Sequence, residues 1–168
     1  MFLPISLLFV GAVLVLNGLW MSGRISDREI VVINFATAAI TATVAAVSLV
    51  RATTGDEVRS VALTLLFSAT YLWVAVNRLN GADGRGLGWF NLFVSLSVLP
   101  QAFLALASAA KFIDIWLGIC SLTWSGLWFM YFATLTLKKP VQDQTAVATL
   151  LSGVLTAWLP ALFLMYGA

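Results

Sequence analysis

No histidine occurs anywhere in the chain, cysteine occurs once, and charged residues make up only 10% of it. Each shortage closes off a kind of chemistry. Without histidine, the side chain that most readily exchanges a proton near neutral pH is missing, and with it the commonest general acid–base designs. Cys120 alone forms no intrachain disulfide and no thiolate cluster for a metal, and within an apolar run it reads as a small buried side chain. The seven acids are Asp27, Glu29, Asp56, Glu57, Asp83, Asp114 and Asp143, and only Asp114 falls inside a predicted span, near its outer end. Two carboxylates therefore cannot face each other at depth. The sequence predicts no enzyme, no catalytic residue, no metal and no cofactor.

The remaining positions are mostly apolar, and 61% of the chain is hydrophobic. A helix needs about 20 mostly apolar residues to cross a hydrocarbon layer roughly 30 Å thick. Six such runs are present, near 2–21, 30–50, 60–77, 88–108, 112–137 and 145–166. Between them stand turn-forming clusters: Ser22-Gly23 with Ser26-Asp27, Thr53-Thr54-Gly55-Asp56, Asn80-Gly81-Ala82-Asp83-Gly84 and Lys139-Pro140. Every connection is short, so neighbouring helices run antiparallel, and the link from Ser108 to Lys111 demands close packing of the fourth and fifth. Lipid offers no water to satisfy an open sheet edge. The expected fold class is an all-α membrane protein with six transmembrane helices as three hairpins, a single domain over residues 1–168.

All nine basic residues sit in or beside loops. The first, third and fifth loops hold Arg24, Arg28, Arg78, Arg85, Lys138 and Lys139, against Arg51, Arg59 and Lys111 in the other two. Positive charge concentrates on the cytoplasmic side, which puts the odd loops inside and both termini outside. The pI of about 9.0 then reports topology, with lipid as the surrounding partner and no nucleic acid implied. Residues 1–20 have the look of a secretory leader, but their basic residues follow the apolar run and no small-residue cleavage pattern precedes Arg24. A retained first helix is expected.

Ionisable groups within a membrane mark ion and proton pathways because they are expensive to bury, and the spans carry none that is clearly at depth. That pattern favours passive passage of a neutral solute. Asn17, Asn34, Asn77 and Asn91 lie toward the cytoplasmic ends of the first four helices, in a pattern that repeats by hairpin. They either bond neighbouring helices, at roughly 0.6 to 2 kcal/mol each, or line a vestibule. In the fifth helix Trp116, Cys120, Trp124 and Trp128 recur every four residues, which sets Trp124 and Trp128 on one face about 6 Å apart along the axis. Phe67 and Tyr71 repeat this spacing in the third helix. Trp124 is too deep for an interfacial aromatic belt. The stripe is either packing between helices or the wall of a slot that admits a thin planar molecule and rejects a hydrated ion. Two other classes stay open: a small membrane enzyme or proton-coupled small-solute carrier, which needs a buried and essential Asp114, and a non-transporting scaffold.

Short motifs run along the chain: Phe9-Val10-Gly11 with Asn17-Gly18, Asn34-Phe35, Thr70-Tyr71-Leu72 with Ala75-Val76-Asn77, and Leu92-Phe93-Val94 with Pro100. Trp124-Ser125-Gly126-Leu127-Trp128 and Leu155-Thr156-Ala157-Trp158-Leu159-Pro160 follow. In this order they resemble the AmiS/UreI family of urea and short-chain amide channels over essentially the whole chain. The resemblance implies a passive channel for urea or short-chain aliphatic amides in the bacterial inner membrane, assembled as a homohexamer with one pore per protomer. It also implies a pore wall of Phe67, Tyr71, Trp124, Leu127 and Trp128, faced by Leu3, Leu7 and Leu14 from the first helix. Candidate hydrogen-bonding groups for the solute are the Tyr71 hydroxyl, the indole N–H groups of Trp124 and Trp128, Ser152 and Asn17. An ion is rejected because apolar walls do not offset its dehydration.

The chain departs from the family in two places. Where many members carry a glutamate before the glycine of the sixth helix, it reads Leu151-Ser152-Gly153, which removes a buried acceptor for an amide NH2 group. Acid-gated members carry a long, histidine-containing outer loop after the second helix; here that loop is only 51–59, without histidine, which implies a pore that pH does not gate. Pro100 and Pro160 fall within the fourth and sixth helices, where each removes a backbone donor and bends the helix. The alanine-rich run over 36–46 offers a small-residue face suited to close packing, and a subunit contact is expected there.

Overall fold

The computed structural model describes residues 2–167, and all the regular elements within them are helical. Six helices are long and apolar enough to cross a membrane: α1 (Leu3–Met21), α2 (Asp27–Arg51), α3 (Gly55–Asn80), α4 (Arg85–Ala107), α5 (Phe112–Leu135) and α6 (Gln142–Tyr166). Four of them begin three to five residues before the apolar runs do, because their first turns are polar, and in α2 and α3 that turn is capped by side chains. Ser26 accepts the Glu29 N–H while the Glu29 carboxylate accepts the Ser26 N–H, and Thr54 and Glu57 make the same exchange at the start of α3. Hydropathy does not register such a turn. At α4 the chain instead enters through Gly84 at φ 80°, a left-handed conformation that glycine adopts without a Cβ penalty.

The helices close into a ring in chain order, with α1 packed against α6 to complete it. Neighbours alternate in direction, as the short loops require. The most intimate pairs are α4 with α5, α2 with α3, and α1 with α6, so the tight hairpins are those joined by loops 52–54 and 108–111. Lipid is as apolar as leucine, so close approach and hydrogen bonds between helices hold such a ring together. Both are seen. A Cβ on Gly18 would lie 2.7 Å from Leu150 Cβ, and one on Gly153 would lie 2.7 Å from the backbone N of Val15. At the α4–α5 seam Ser95 and Ser125 donate to each other's carbonyl oxygens at 2.8 and 2.9 Å, and at the α2–α3 seam Thr41 and Ser68 meet at 2.6 Å. The alanine-rich run of α2 divides accordingly: Ala38, Thr41 and Ala45 face the ring's interior contacts, while Ala39, Thr43 and Ala46 face outward.

Pro160 has a local answer in α6. Residues Gly153–Trp158 form a π-helical turn, widened so that the Leu159 N–H reaches the Val154 carbonyl oxygen five residues back. The next bond in that register would come from Pro160, which has no N–H. The carbonyl left over, that of Leu155, is taken by the indole N–H of Trp116 on α5 at 3.1 Å. Pro100, by contrast, sits at an exposed position in an uninterrupted α4.

Candidate permeation path

All six helices contribute to a cavity of about 380 Å³ that opens at the end of the ring carrying loops 22–26, 81–84 and 136–141. Its inner walls are Leu14, Tyr71, Leu127 and Trp128, and its mouth is ringed by Trp20, Asp27, Asn77, Arg78 and Gln142. The mouth is neutral in sum. Asp27 accepts the Trp20 indole N–H at 2.7 Å and lies 3.8 Å from Arg78, whose guanidinium sits 5.4 Å from the centroid of the Trp20 ring.

One helical turn further in, the path is filled by rings. Phe67 lies against Trp128 with centroids 4.7 Å apart and planes 18° from parallel, and meets Trp124 edge-on at 5.6 Å. Phe67 from α3, expected in the same wall as the tryptophans, is therefore packed against both of them. Passing a flat solute between two rings takes about twice a stacking distance, roughly 7 Å, so the rings must part. Leu7, 2% exposed, lies on α1 a further two turns in from Leu14 and lines neither cavity. Beyond the rings a second cavity of about 560 Å³, bounded by α1, α2 and α3, takes in Leu3 and Ser6 along with Arg51, Asp56 and Glu57. From Thr64 to Thr70 on α3, and from Ser6 to Leu14 on α1, the two cavities are about 9 to 12 Å apart along the helices.

The hydrogen-bonding candidates divide sharply. The Trp124 indole N–H is already given to Thr156 Oγ1 at 2.7 Å, and that hydroxyl donates in turn to the Ser152 carbonyl oxygen at 2.6 Å. Ser152 is buried but lines neither cavity, since the α6 backbone packs here against α1. Asn17 lines the cavity, yet its amide is exchanged with Asn34, at 2.8 and 3.3 Å, which satisfies the packing alternative for that pair. Tyr131, also on the cavity wall, is held by Thr149 at 2.9 Å. The Tyr71 hydroxyl is buried with no partner among the described residues.

Thr149 and Thr156 were not foreseen. Thr145, Thr149, Ser152 and Thr156 recur at intervals of four, three and four residues, a polar stripe down one face of α6 that helical periodicity alone could have found. Asp114, the only acid expected within a span, caps α5 by accepting the Ala110 and Lys111 N–H groups at 3.2 and 2.9 Å. A proton-carrier role needed it buried along the path, and it is at the helix end.

A closed ring of six membrane-spanning helices around an uncharged, ring-blocked axis is the build of a membrane transport protein. The chain belongs to the AmiS/UreI family of transporters, which matches residues 2–168. It is 38% identical to a protein of Mycolicibacterium smegmatis named for the transport of amidate substrates, over 97% of this chain and 76% of that one. It is 30% identical to the acid-activated urea channel of Helicobacter pylori, over 95% of each chain. Among solved structures it is similar to the crystal structure of the H. pylori urea channel, with a TM-score of 0.84, and to the cryo-EM structure of that channel in a closed state, with a TM-score of 0.88. Both superpositions are at 30% identity, cover 98% of this chain, and take in 98% and 97% of the other.

Proposed function

We propose that this protein is a passive channel for urea and short-chain aliphatic amides, one path per protomer, with no acid gate. The observation that carries the reading is the cavity inside the ring of six helices, which opens at one end and stops inward at Trp128, on which Phe67 and then Trp124 are packed. Trp124 is pinned by Thr156 and so forms the fixed side of the constriction, whereas Phe67 has no polar anchor and is the ring that swings. A planar neutral solute slips past when it does. A hydrated ion finds apolar walls that leave its dehydration uncompensated.

The excess of Arg and Lys in and beside loops 22–26, 81–84 and 136–141 supports placing the mouth of the 380 Å³ cavity in the cytoplasm and both termini outside, in the bacterial inner membrane. Outward-facing apolar residues such as Val50, Phe93, Phe103 and Phe112 supply surface for lipid and for five neighbouring copies in a hexamer. The relatives' names support urea and amides alike as solutes. Stopped-flow flux into proteoliposomes tests the reading: urea and acetamide should equilibrate faster than in empty vesicles, with no dependence on a proton gradient. Flux that follows the gradient, or no flux of either solute, would refute it.

A further inference from the structure

Two buried side-chain atoms lack a hydrogen-bond partner among the described residues: the Tyr71 hydroxyl oxygen and the Asn91 Oδ1. Both residues are 3% exposed, and both line the 380 Å³ cavity, Tyr71 from α3 and Asn91 from α4. Four other polar side chains on the same wall are satisfied, Asn17 by Asn34, Thr70 by the Phe67 carbonyl, Tyr131 by Thr149 and Thr134 by Thr145. An unpaired buried polar atom carries the full cost of its desolvation, so two of them sharing one cavity call for a ligand that pairs with both.

We infer that Tyr71 and Asn91 form a two-point subsite for a primary carboxamide or urea, the Tyr71 hydroxyl donating to the carbonyl oxygen and Asn91 Oδ1 accepting from the NH2 group. The inference rests on the channel reading above and adds the residue that reads the amide nitrogen. The phenol supplies the donor that a carbonyl needs, and the asparagine oxygen supplies the acceptor that only an N–H compound uses. A ketone of the same shape satisfies the first point and leaves the second unpaired. Asn91 thereby takes over the acceptor's part that Ser152, outside the cavity, does not play.

The test is competition against urea flux in proteoliposomes, with acetamide and acetone as shape-matched competitors equilibrated on both sides. Acetamide should half-inhibit at about one-tenth the concentration of acetone, the discrimination expected of one hydrogen bond. In Asn91→Leu the two competitors should come within about twofold of each other, while Tyr71→Phe should weaken both by about tenfold. If Asn91→Leu fails to assemble, Asn91→Ala, which adds no volume, carries the same expectation. Equal competition in the unmutated protein, or full discrimination in whichever Asn91 variant assembles, overturns the subsite. Absence of any urea flux from the unmutated protein instead overturns the channel reading.

Discussion

Thr156→Val isolates what anchors the constriction. The change keeps the side chain's shape but deletes the oxygen that accepts the Trp124 N–H at 2.7 Å and the hydroxyl that donates to the Ser152 carbonyl at 2.6 Å. A hydrogen bond between membrane helices averages about 0.6 kcal/mol and reaches about 1.7, and stranding a buried N–H costs about 1 to 3. A loss near 1.4 kcal/mol raises the population of released Trp124 about tenfold. With its fixed side loosened, the constriction should discriminate less well by size: the ratio of urea to propionamide flux should fall at least threefold, while the oligomer survives size-exclusion chromatography. Ser95→Ala is the matched control, because it removes a 2.8 Å bond at the α4–α5 seam that touches neither ring. Both variants should lose comparable thermal stability, and only Thr156→Val should lose selectivity. If the two destabilise alike and the flux ratio stays put in both, Trp124 is packing and nothing more.

Removing the swinging ring should have the opposite signature: Phe67→Ala is expected to raise urea flux severalfold and to admit water, seen as faster osmotic shrinkage of the same vesicles, and an unchanged rate for both contradicts the assignment of Phe67 as the barrier. Gly18→Ala should destabilise the fold by roughly 1 to 3 kcal/mol through overpacking, because its Cβ would meet Leu150 Cβ at 2.7 Å and the Ala146 carbonyl oxygen at 2.8 Å; a thermal-shift or denaturant series checks it. Urea flux should be level between pH 5 and pH 8. No histidine titrates there, and in loop 81–84 the Arg85 backbone N–H and guanidinium hold the Asp83 carboxyl below the usual carboxylate range. A lowered folded value means that Asp83 supports the fold above the unfolded carboxylate range and loses that support only as pH falls through the folded value, under the window tested. Steep acid activation in stopped-flow traces would refute the ungated reading.

The spans were legible because lipid imposes a length and a composition that six runs of this chain meet. Their polar first turns were not, since a capping exchange such as Ser26 with Glu29 leaves no mark on hydropathy. The aromatic stripe was legible as a spacing, and the structure brings Phe67, Trp124 and Trp128 into one cluster. Spacing along one helix says nothing of what the neighbouring helix inserts, which is why the sequence left packing and an open slot as alternatives, and Phe67 is seen packed against both tryptophans. The destination of each polar hydrogen was equally hidden. Thr156 claims the Trp124 N–H, Asn34 claims Asn17, and Asn91 is left without a partner among the described residues, outcomes set by how far each helix is rotated.

Because the ring is sealed by its first and last helices, the barrel does not exist as a partial product of synthesis. Until α6 arrives to lay Gly153 against Val15 and Leu150 against Gly18, five helices make only a trough. In that trough Tyr131 lacks Thr149 and the Trp124 indole lacks Thr156, and unpaired polar atoms facing lipid are costly. A chain that stalls before the sixth helix is therefore an open gutter in the membrane, recognisable by its unpaired phenol and indole. Gly18 and Gly153, where a Cβ has no room, are thus as much a condition of the path as the rings that the seam encloses.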